Sequence, residues 1–186
     1  MKTAPLTQVY EEIATLTHTD LATLLPSGTG QEAGHFDVFT LDNLFATRGQ
    51  VPAAPLPCRS FYRISLTIGS SQAIYPNKVF DIKQGALLFS TPRMPYYWQP
   101  FDLNLTGQFC VFNPEFLQPI KSGVVLDELP IFNPNQHPVF LLSDEQCTRA
   151  MAIFQRMQEE MQSDYAYKYD LLRIYVLELI HLGQKL

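Results

Sequence analysis

The chain has 186 residues, of which 46% are hydrophobic and 12% aromatic, and its formal net charge is −5. A chain of this length can bury one substantial core, which predicts one domain with at most a helical appendage. Its 13 basic residues are scattered along the sequence, and this excludes both the basic surface of a nucleic-acid-binding domain and a polybasic membrane patch.

The N-terminal stretch and the cysteines indicate a cytoplasmic protein. MKTAPLTQVYEEIATL lacks the continuous apolar stretch of a signal peptide because Glu11 and Glu12 interrupt it. No window approaches the roughly 18 apolar residues of a membrane-spanning helix. Cys58, Cys110 and Cys147 are odd in number and far apart, which is typical of reduced thiols.

The N-terminal third alternates between short elements and loops. Residues 8–17 have helical apolar spacing, and residues 26–34 (PSGTGQEAG) are a predicted loop. A short strand is expected over 35–41. Three prolines exclude regular structure over 49–57 (GQVPAAPLP).

The middle of the chain predicts a series of short strands. These segments are rich in β-branched and aromatic residues and are separated by turn residues. The predicted strands cover 60–68, 72–75, 78–82, 86–90, 103–112 and 137–142. Their spacing is typical of a β-barrel or β-sandwich. Ile68 to Ser71 is predicted to form a hairpin turn between the first two of these strands.

After residue 142 the apolar period changes from two to between three and four, which predicts two helices. Ser143 is the expected N-cap of the first helix, with Gln146 at the capping-box position. Its apolar face is formed by Cys147, Ala150, Met151, Phe154, Met157 and Met161. The second helix is expected from about Asp164 to the end of the chain.

The second helix is apolar over about half of its circumference, more than one barrel needs for packing. We interpret this excess as a second burial surface against a partner chain or a following domain. The predicted homodimer contacts are Tyr169, Leu172, Tyr175, Val176 and Leu179. A broad helix–helix contact within one chain is the alternative interpretation.

The sequence lacks the patterns of common catalytic sites. His18, His35, His137 and His181 are dispersed, and no Cys or His spacing matches a metal site. There is no G-x-S-x-G motif and no glycine-rich phosphate loop. We therefore predict no metal, no cofactor and no enzymatic activity.

Two predicted strands carry unusual faces. Alternation sorts 60–68 into a core face with Tyr62, Ile64 and Leu66, and a second face that includes Arg63. The second face suits either solvent or a wet cavity inside a barrel. In the strand at 103–112, the mid-strand Gly107 leaves room for a close approach.

The run FYRISLTIGSSQAIYPNKVFDIKQGALLFSTPRMPYYW resembles the cupin-type sensor domain of AraC-family transcription regulators. TGQFCVFNPEFL resembles the long return strand of that family. HPVFLLSDEQ and YKYDLLRIYVLELI resemble the segment that leads into its two dimerisation helices and the helices themselves. The resemblance covers roughly residues 35–186. It implies a mainly β fold, a cupin-like double-stranded β-helix (a jelly-roll barrel) followed by two α-helices.

The resemblance also bears on chemistry. The metal-ligand positions of metal cupins fall here on Pro57, Arg59, Arg63 and Tyr96, so every metal ligand is replaced. This implies a domain that is not an oxygenase or isomerase.

In sugar-sensing members of the family the barrel holds a small ligand. By resemblance, Trp98 would stack on the ligand, Gly107 and Phe109 would line the floor, and Arg63 and Tyr96 would donate hydrogen bonds. The predicted ligand-binding residues are Phe61, Arg63, Tyr96, Trp98, Gly107 and Phe109. The alternatives are that Trp98 plugs the barrel as core, and that Arg63 forms an ion pair at the rim.

These observations predict an effector-sensing and dimerising domain cut from a longer bacterial regulator. An N-terminal arm is expected over 1–34, a sensor barrel over 35–142 and a two-helix dimerisation segment over 143–186. The effector, with a sugar as one candidate, would control DNA-binding domains beyond residue 186. The alternatives are a stand-alone ligand-binding cupin, a divergent cupin enzyme, and an orphan dimerisation domain with a filled barrel.

Overall fold

The computed structural model describes residues 11, 34–41, 61–76, 78–93, 96–101, 104–118, 120, 122–133, 136 and 138–186. The predicted helix at 8–17, the loop at 26–33 and the proline-rich stretch at 49–57 lie outside the described residues, apart from Glu11. The described strands are β1 (Phe36–Thr40), β2 (Tyr62–Ile68), β3 (Ser71–Tyr75), β4 (Lys78–Ile82), β5 (Gly85–Ser90), β6 (Tyr97–Pro100), β7 (Thr106–Phe112) and β8 (Val139–Leu141). The described helices are α1 (Pro114–Leu117), α2 (Asp144–Met161) and α3 (Lys168–Gln184), with short 3-10 turns at Leu126–Glu128 and Pro130–Phe132.

The strands form two antiparallel sheets that face each other. The larger sheet has the order β1-β7-β2-β5-β8 and the smaller sheet the order β4-β3-β6. Ala73 and Ile82 of the smaller sheet share a buried cluster with Leu88 and Val139 of the larger one. Since the neighbouring strands of the larger sheet are not consecutive in sequence, this is the Greek-key pairing of a jelly roll. The predicted mainly β, cupin-like barrel followed by two helices is confirmed.

Strand β2 shows why the larger sheet has two different faces. Tyr62, Ile64 and Leu66 are buried in the core that α2 and α3 cover. The alternate positions point to the space between the sheets, where Phe61 packs with Phe109. Period-two alternation therefore places one face of β2 under the helices and the other inside the barrel.

Helix α2 begins as the sequence predicts. The Ser143 hydroxyl accepts a hydrogen bond from the Gln146 backbone N–H at 3.3 Å, and the Gln146 side chain accepts one from the Ser143 N–H at 2.8 Å. This reciprocal capping box satisfies two backbone donors at the helix start. The second helix begins at Lys168, four residues later than predicted, because residues 162–167 form a non-helical connection to α2.

Two local predictions are corrected by the sheet pairing. The turn at Ile68 to Ser71 does not close a hairpin, since β2 pairs with β5 and β7 while β3 pairs with β4 and β6. It is the corner where the chain passes from one sheet to the other, and Gly69 adopts a φ of 121° there. Strand β6 was not predicted, because prolines surround it. Its position at the edge of the described smaller sheet tolerates them.

Candidate functional site

The space between the two sheets is lined on one side by the inward face of β2. Arg63 lies between Val111 of β7 and Ser90 of β5 in the antiparallel register. Ser65 lies opposite Phe109, and Thr67 opposite Gly107. Polar and charged side chains at consecutive inward positions are unusual, because the interior of a small barrel is normally filled by apolar residues.

Arg63 is held in place by two interactions. Its Nε donates a hydrogen bond to the Ser65 hydroxyl at 2.8 Å. Its guanidinium carbon lies 3.9 Å from the centroid of the Phe109 ring, in a cation–π contact. No carboxylate of the described part of the chain forms an ion pair with it. The predicted alternative of a rim salt bridge for Arg63 is thus not seen among the described residues.

The smaller sheet supplies an aromatic wall. Trp98 lies opposite Ala73 and packs, half-buried, against the buried clusters of both sheets. The Tyr96 ring stacks on the Tyr75 ring at 5.4 Å with an interplanar angle of 17°. These contacts place Tyr96 and Trp98 inside the barrel.

Tyr75 is a neutral hydroxyl in this interior. Burial holds the pKa of Tyr75 well above its usual range, and Tyr96 adds to this effect. The positive charge of Arg63 acts in the opposite direction. At neutral pH, Tyr75 therefore offers an O–H donor and no negative charge.

In the described part of the chain, four hydroxyl groups of this interior have no hydrogen-bond partner. They belong to Thr67, Ser71, Tyr75 and Ser90, whose exposed fractions lie between 1% and 7%. A buried hydroxyl without a partner costs about 1–3 kcal/mol. Each buried group of this kind calls for an explanation, and four of them facing one interior leave donors and acceptors that a polar ligand can satisfy.

The predicted ligand-binding residues fall into two neighbouring clusters. Phe61, Phe109 and Trp98 share one cluster, and Arg63 contacts it through the Phe109 ring. Tyr96 lies with Tyr75 in the other cluster, which Trp98 also contacts.

The unpartnered hydroxyls were not predicted from the sequence. Alternation within 71–75 could have placed Ser71 and Tyr75 on one face of a strand. It does not say which face of that strand lies inside the barrel, so the significance of these hydroxyls depends on the packing of the two sheets.

Gly107 has a different role from the predicted one. It adopts a φ of 153°, and a Cβ at this position would overlap the carbonyl oxygen of Leu66 and approach the Leu41 side chain to 3.0 Å. The space above this glycine is thus taken by the neighbouring strand and by Leu41, not left open for a ligand. Gly107 is required for close strand packing.

We expect Gly107→Ala to destabilise the chain by about 3 kcal/mol, because it combines an unfavourable backbone angle with a backbone clash. Gly123→Ala is the matched control. Gly123 has a φ of 74°, and no atom lies within 4 Å of the position that a Cβ would take, so its replacement should cost only about 1 kcal/mol. Urea unfolding of both variants measures the difference, and equal losses would contradict the packing role of Gly107.

The predicted dimer contacts divide into two groups. Leu172, Val176 and Leu179 are fully buried in the core between α3, α2 and the larger sheet. For these three residues the prediction changes, because a side chain with no exposed surface offers nothing to a second chain. Tyr169 and Tyr175 are only partly buried, and the dimer prediction now depends on them. The alternative of a broad contact within one chain accounts for most of the apolar surface of α3.

The two described thiols are poorly suited to nucleophilic chemistry. Cys110 is fully buried, and burial raises the pKa of its thiol to about 12. Burial also raises the pKa of Cys147, with Asp144 adding to the effect.

No group of three or more His, Cys, Asp or Glu side chains in the described ranges could hold a metal ion. None of the described helices is both long enough and apolar enough to cross a bilayer.

Comparison with known proteins gives matches in structure only. No family model and no curated protein matches the sequence. Apo ToxT K231A from Vibrio cholerae strain SCE256 matches with a TM-score of 0.51 at 11% identity, covering 81% of this chain and 55% of that chain. ToxT from Vibrio cholerae O395 matches with a TM-score of 0.46 at 9% identity, covering 83% and 55%. The AraC-like transcriptional activator CuxR matches with a TM-score of 0.41 at 16% identity, covering 66% and 42%.

The match to the ToxT K231A structure defines the class of fold. The chain has a barrel-and-helices fold like that of this structure, and it spans about half the length of that protein. The fold that the sequence resemblance to AraC-family regulators implies is thereby confirmed.

Proposed function

We propose that this chain is the effector-sensing domain of an AraC-type bacterial transcription regulator and binds a small molecule between its two sheets. The observation that carries the proposal is the barrel interior, where a half-buried arginine and four unpartnered hydroxyls face an aromatic wall. A few convergent polar groups within an apolar lining are the usual composition of a small-molecule site. In this proposal the chain acts in the cytoplasm and is not an enzyme.

In this proposal DNA is contacted by a separate domain, and the helices transmit the signal. Helix α2 packs on β1, β2 and β7 as well as on α3, so a change in the sheet can reach both helices. Effector binding can bias the output only if the two states differ in such contacts. We extend the proposal to a homodimer through the outer face of α3, where Ile174 is 53% exposed between Tyr169 and Tyr175.

Trp98 provides a direct test of the site. We expect Trp98→Ala to fold but to bind effector at least tenfold more weakly, because the ligand would lose an aromatic stacking surface. Phe101→Ala is the matched control, since Phe101 directly follows β6 but is 56% exposed. Compounds that raise the Tm of the wild-type chain in a screen of sugars and organic acids would be measured on both variants by calorimetry.

Two results would count against this proposal. Equal affinity of wild type and Trp98→Ala would show that Trp98 is only a plug in the barrel. A regulatory role is tested by fusing this chain to the DNA-binding domain of an AraC-type regulator and measuring a reporter gene. We expect compounds that raise the Tm to change reporter expression, and binding without any such change would favour a stand-alone ligand-binding module.

A further inference from the structure

We infer that the effector is a small organic anion whose carboxylate or phosphate group is bound by Arg63 inside the barrel. This inference depends on the proposed function, since it names the chemical class of the ligand for the same site. The donors that the interior presents, its charge, and the way in which Arg63 is held all support it.

The hydrogen-bond donors of the interior favour a ligand that is rich in acceptors. A guanidinium has five N–H donors and no acceptor. Arg63 uses the Nε–H for Ser65, and its terminal N–H groups have no described partner. Tyr75 remains protonated in this interior and its O–H is also unpartnered. A carboxylate or a phosphate would supply the acceptors that these donors lack.

The charge of the interior favours an anion. A half-buried cation loses part of its hydration, and a counter-charge compensates for that loss more fully than neutral groups do. Asp37 lies in the same register row as Arg63, with Val111 of β7 between them, but the two do not form an ion pair. In the described part of the chain, the positive charge of Arg63 thus has no anion to neutralise it, and a negatively charged ligand would supply one.

The geometry of Arg63 suits a ligand with paired oxygens. The contact with Phe109 and the bond to Ser65 fix the guanidinium plane. A fixed guanidinium presents its terminal N–H groups as a fork that matches the two oxygens of a carboxylate or a phosphate. The unpartnered Ser90 hydroxyl lies directly across from Arg63 on β5 and can add a bond to the same oxygens.

The remaining hydroxyls indicate which groups the other end of the ligand would carry. Thr67 lies four residues further along β2 than Arg63, roughly 13 Å at the usual rise of a strand. Ser71 begins β3, just beyond the corner that follows β2. Both hydroxyls are buried and unpartnered. An anion with a second polar group at its far end, and an apolar body against Trp98 and Phe109, would complement all of these groups.

The test compares ligands that share a ring but differ in whether they carry an anionic group. Glucuronate, glucose 6-phosphate and glucose share one ring, and benzoate and benzamide share another. We expect at least one anion to raise the Tm of the chain and to quench its sole tryptophan, Trp98, while the neutral partner has no effect. A response to glucuronate or benzoate would identify a carboxylate ligand, and a response to glucose 6-phosphate alone would identify a phosphate ligand.

Substitutions of Arg63 then assign the effect. Arg63→Gln should weaken anion binding by roughly ten- to hundred-fold, and Arg63→Lys should retain part of it, because lysine keeps the charge but loses the fork. The matched control is Arg156→Gln, an exposed arginine of α2, which should bind like wild type. Far-UV circular dichroism checks the fold, and Arg63→Lys alone carries the test if Arg63→Gln does not fold.

The outcomes separate this inference from the proposed function. If a neutral compound binds as well as its anionic partner, or if anion binding survives Arg63→Gln, the anion inference is wrong while a sensing function stands. If no compound of either kind binds, both are wrong.

Discussion

Leu172→Asp should prevent stable folding of this chain, whereas Ile174→Asp, two residues further along the same helix, should fold normally. Leu172 has no exposed surface and lies in the core between α3, α2 and the larger sheet. A carboxylate placed there has no cationic partner and would lose its hydration, and we expect a loss of more than about 4 kcal/mol. Ile174 is 53% exposed, so its replacement should change the free energy of unfolding by less than about 0.5 kcal/mol.

Soluble yield and urea unfolding measure the first effect, and analytical ultracentrifugation of Ile174→Asp measures a second one. If the outer face of α3 forms a homodimer, this variant should be a folded monomer. An unchanged dimer mass would show that the dimer contact lies on another surface. A stable, folded Leu172→Asp protein would contradict the assignment of this face of α3 to the core of its own chain.

Arg173→Ala should destabilise the chain by about 3 kcal/mol, far more than Arg156→Ala, because it leaves a buried carbonyl without its donor and a space where the side chain packed. Arg173 is only 4% exposed. Its Nε donates to the Phe116 carbonyl at 2.6 Å, a terminal N–H donates to Asp170 at 2.6 Å, and its guanidinium carbon lies 5.0 Å from the Phe116 ring centroid. It therefore ties α3 to α1.

Arg156 is a suitable control because it also forms an ion pair, with Glu178 at 2.8 Å, but in an exposed position. Exposed pairs contribute about 0–1 kcal/mol. Urea unfolding of both alanine variants and of Arg173→Lys gives the comparison, and the lysine variant should recover little, since it cannot reproduce the directed Nε–H bond. Similar losses for Arg173→Ala and Arg156→Ala would show that the buried arginine contributes no more than a surface charge.

Arg173 also illustrates a limit of helical periodicity. The residues around it in sequence place it on the polar side of α3, among Asp170 and Glu178. The structure buries it because α1 passes over that side of the helix and presents the Phe116 carbonyl. Periodicity identifies which side chains share a face, but it contains no information on which neighbours cover that face.

Local features were predicted well where a local interaction causes them. The capping box of Ser143 and Gln146 involves residues three positions apart, and the structure has both of its hydrogen bonds. The alternation of β2 is equally local, and it separates Ile64 and Leu66 from Arg63 as expected. The order of motifs along 61–180 also predicted the barrel followed by two helices.

The resemblance to AraC-family sensor domains predicted part of the group of residues inside the barrel, and their role as a ligand site stays a prediction. Arg63, Trp98 and Phe109 meet inside the barrel because each lies on the inward face of its strand. The unpartnered hydroxyls of Thr67, Ser71, Tyr75 and Ser90 were not predicted. Serine and threonine are common on exposed strand faces, so only the burial of these side chains between two sheets gives them significance.

Local sequence patterns were enough to predict most of the strands and helices, the start of α2, and which side chains lie together on one face, since neighbouring residues cause each of these features. How those faces are used depends on the tertiary packing. The corner at Gly69 separates β2 from β3, which were expected to pair because they are adjacent in sequence. The space above Gly107 is taken by Leu66 and Leu41, and Leu172 packs within its own chain. These outcomes depend on contacts between residues far apart in sequence, whose partners no local pattern specifies.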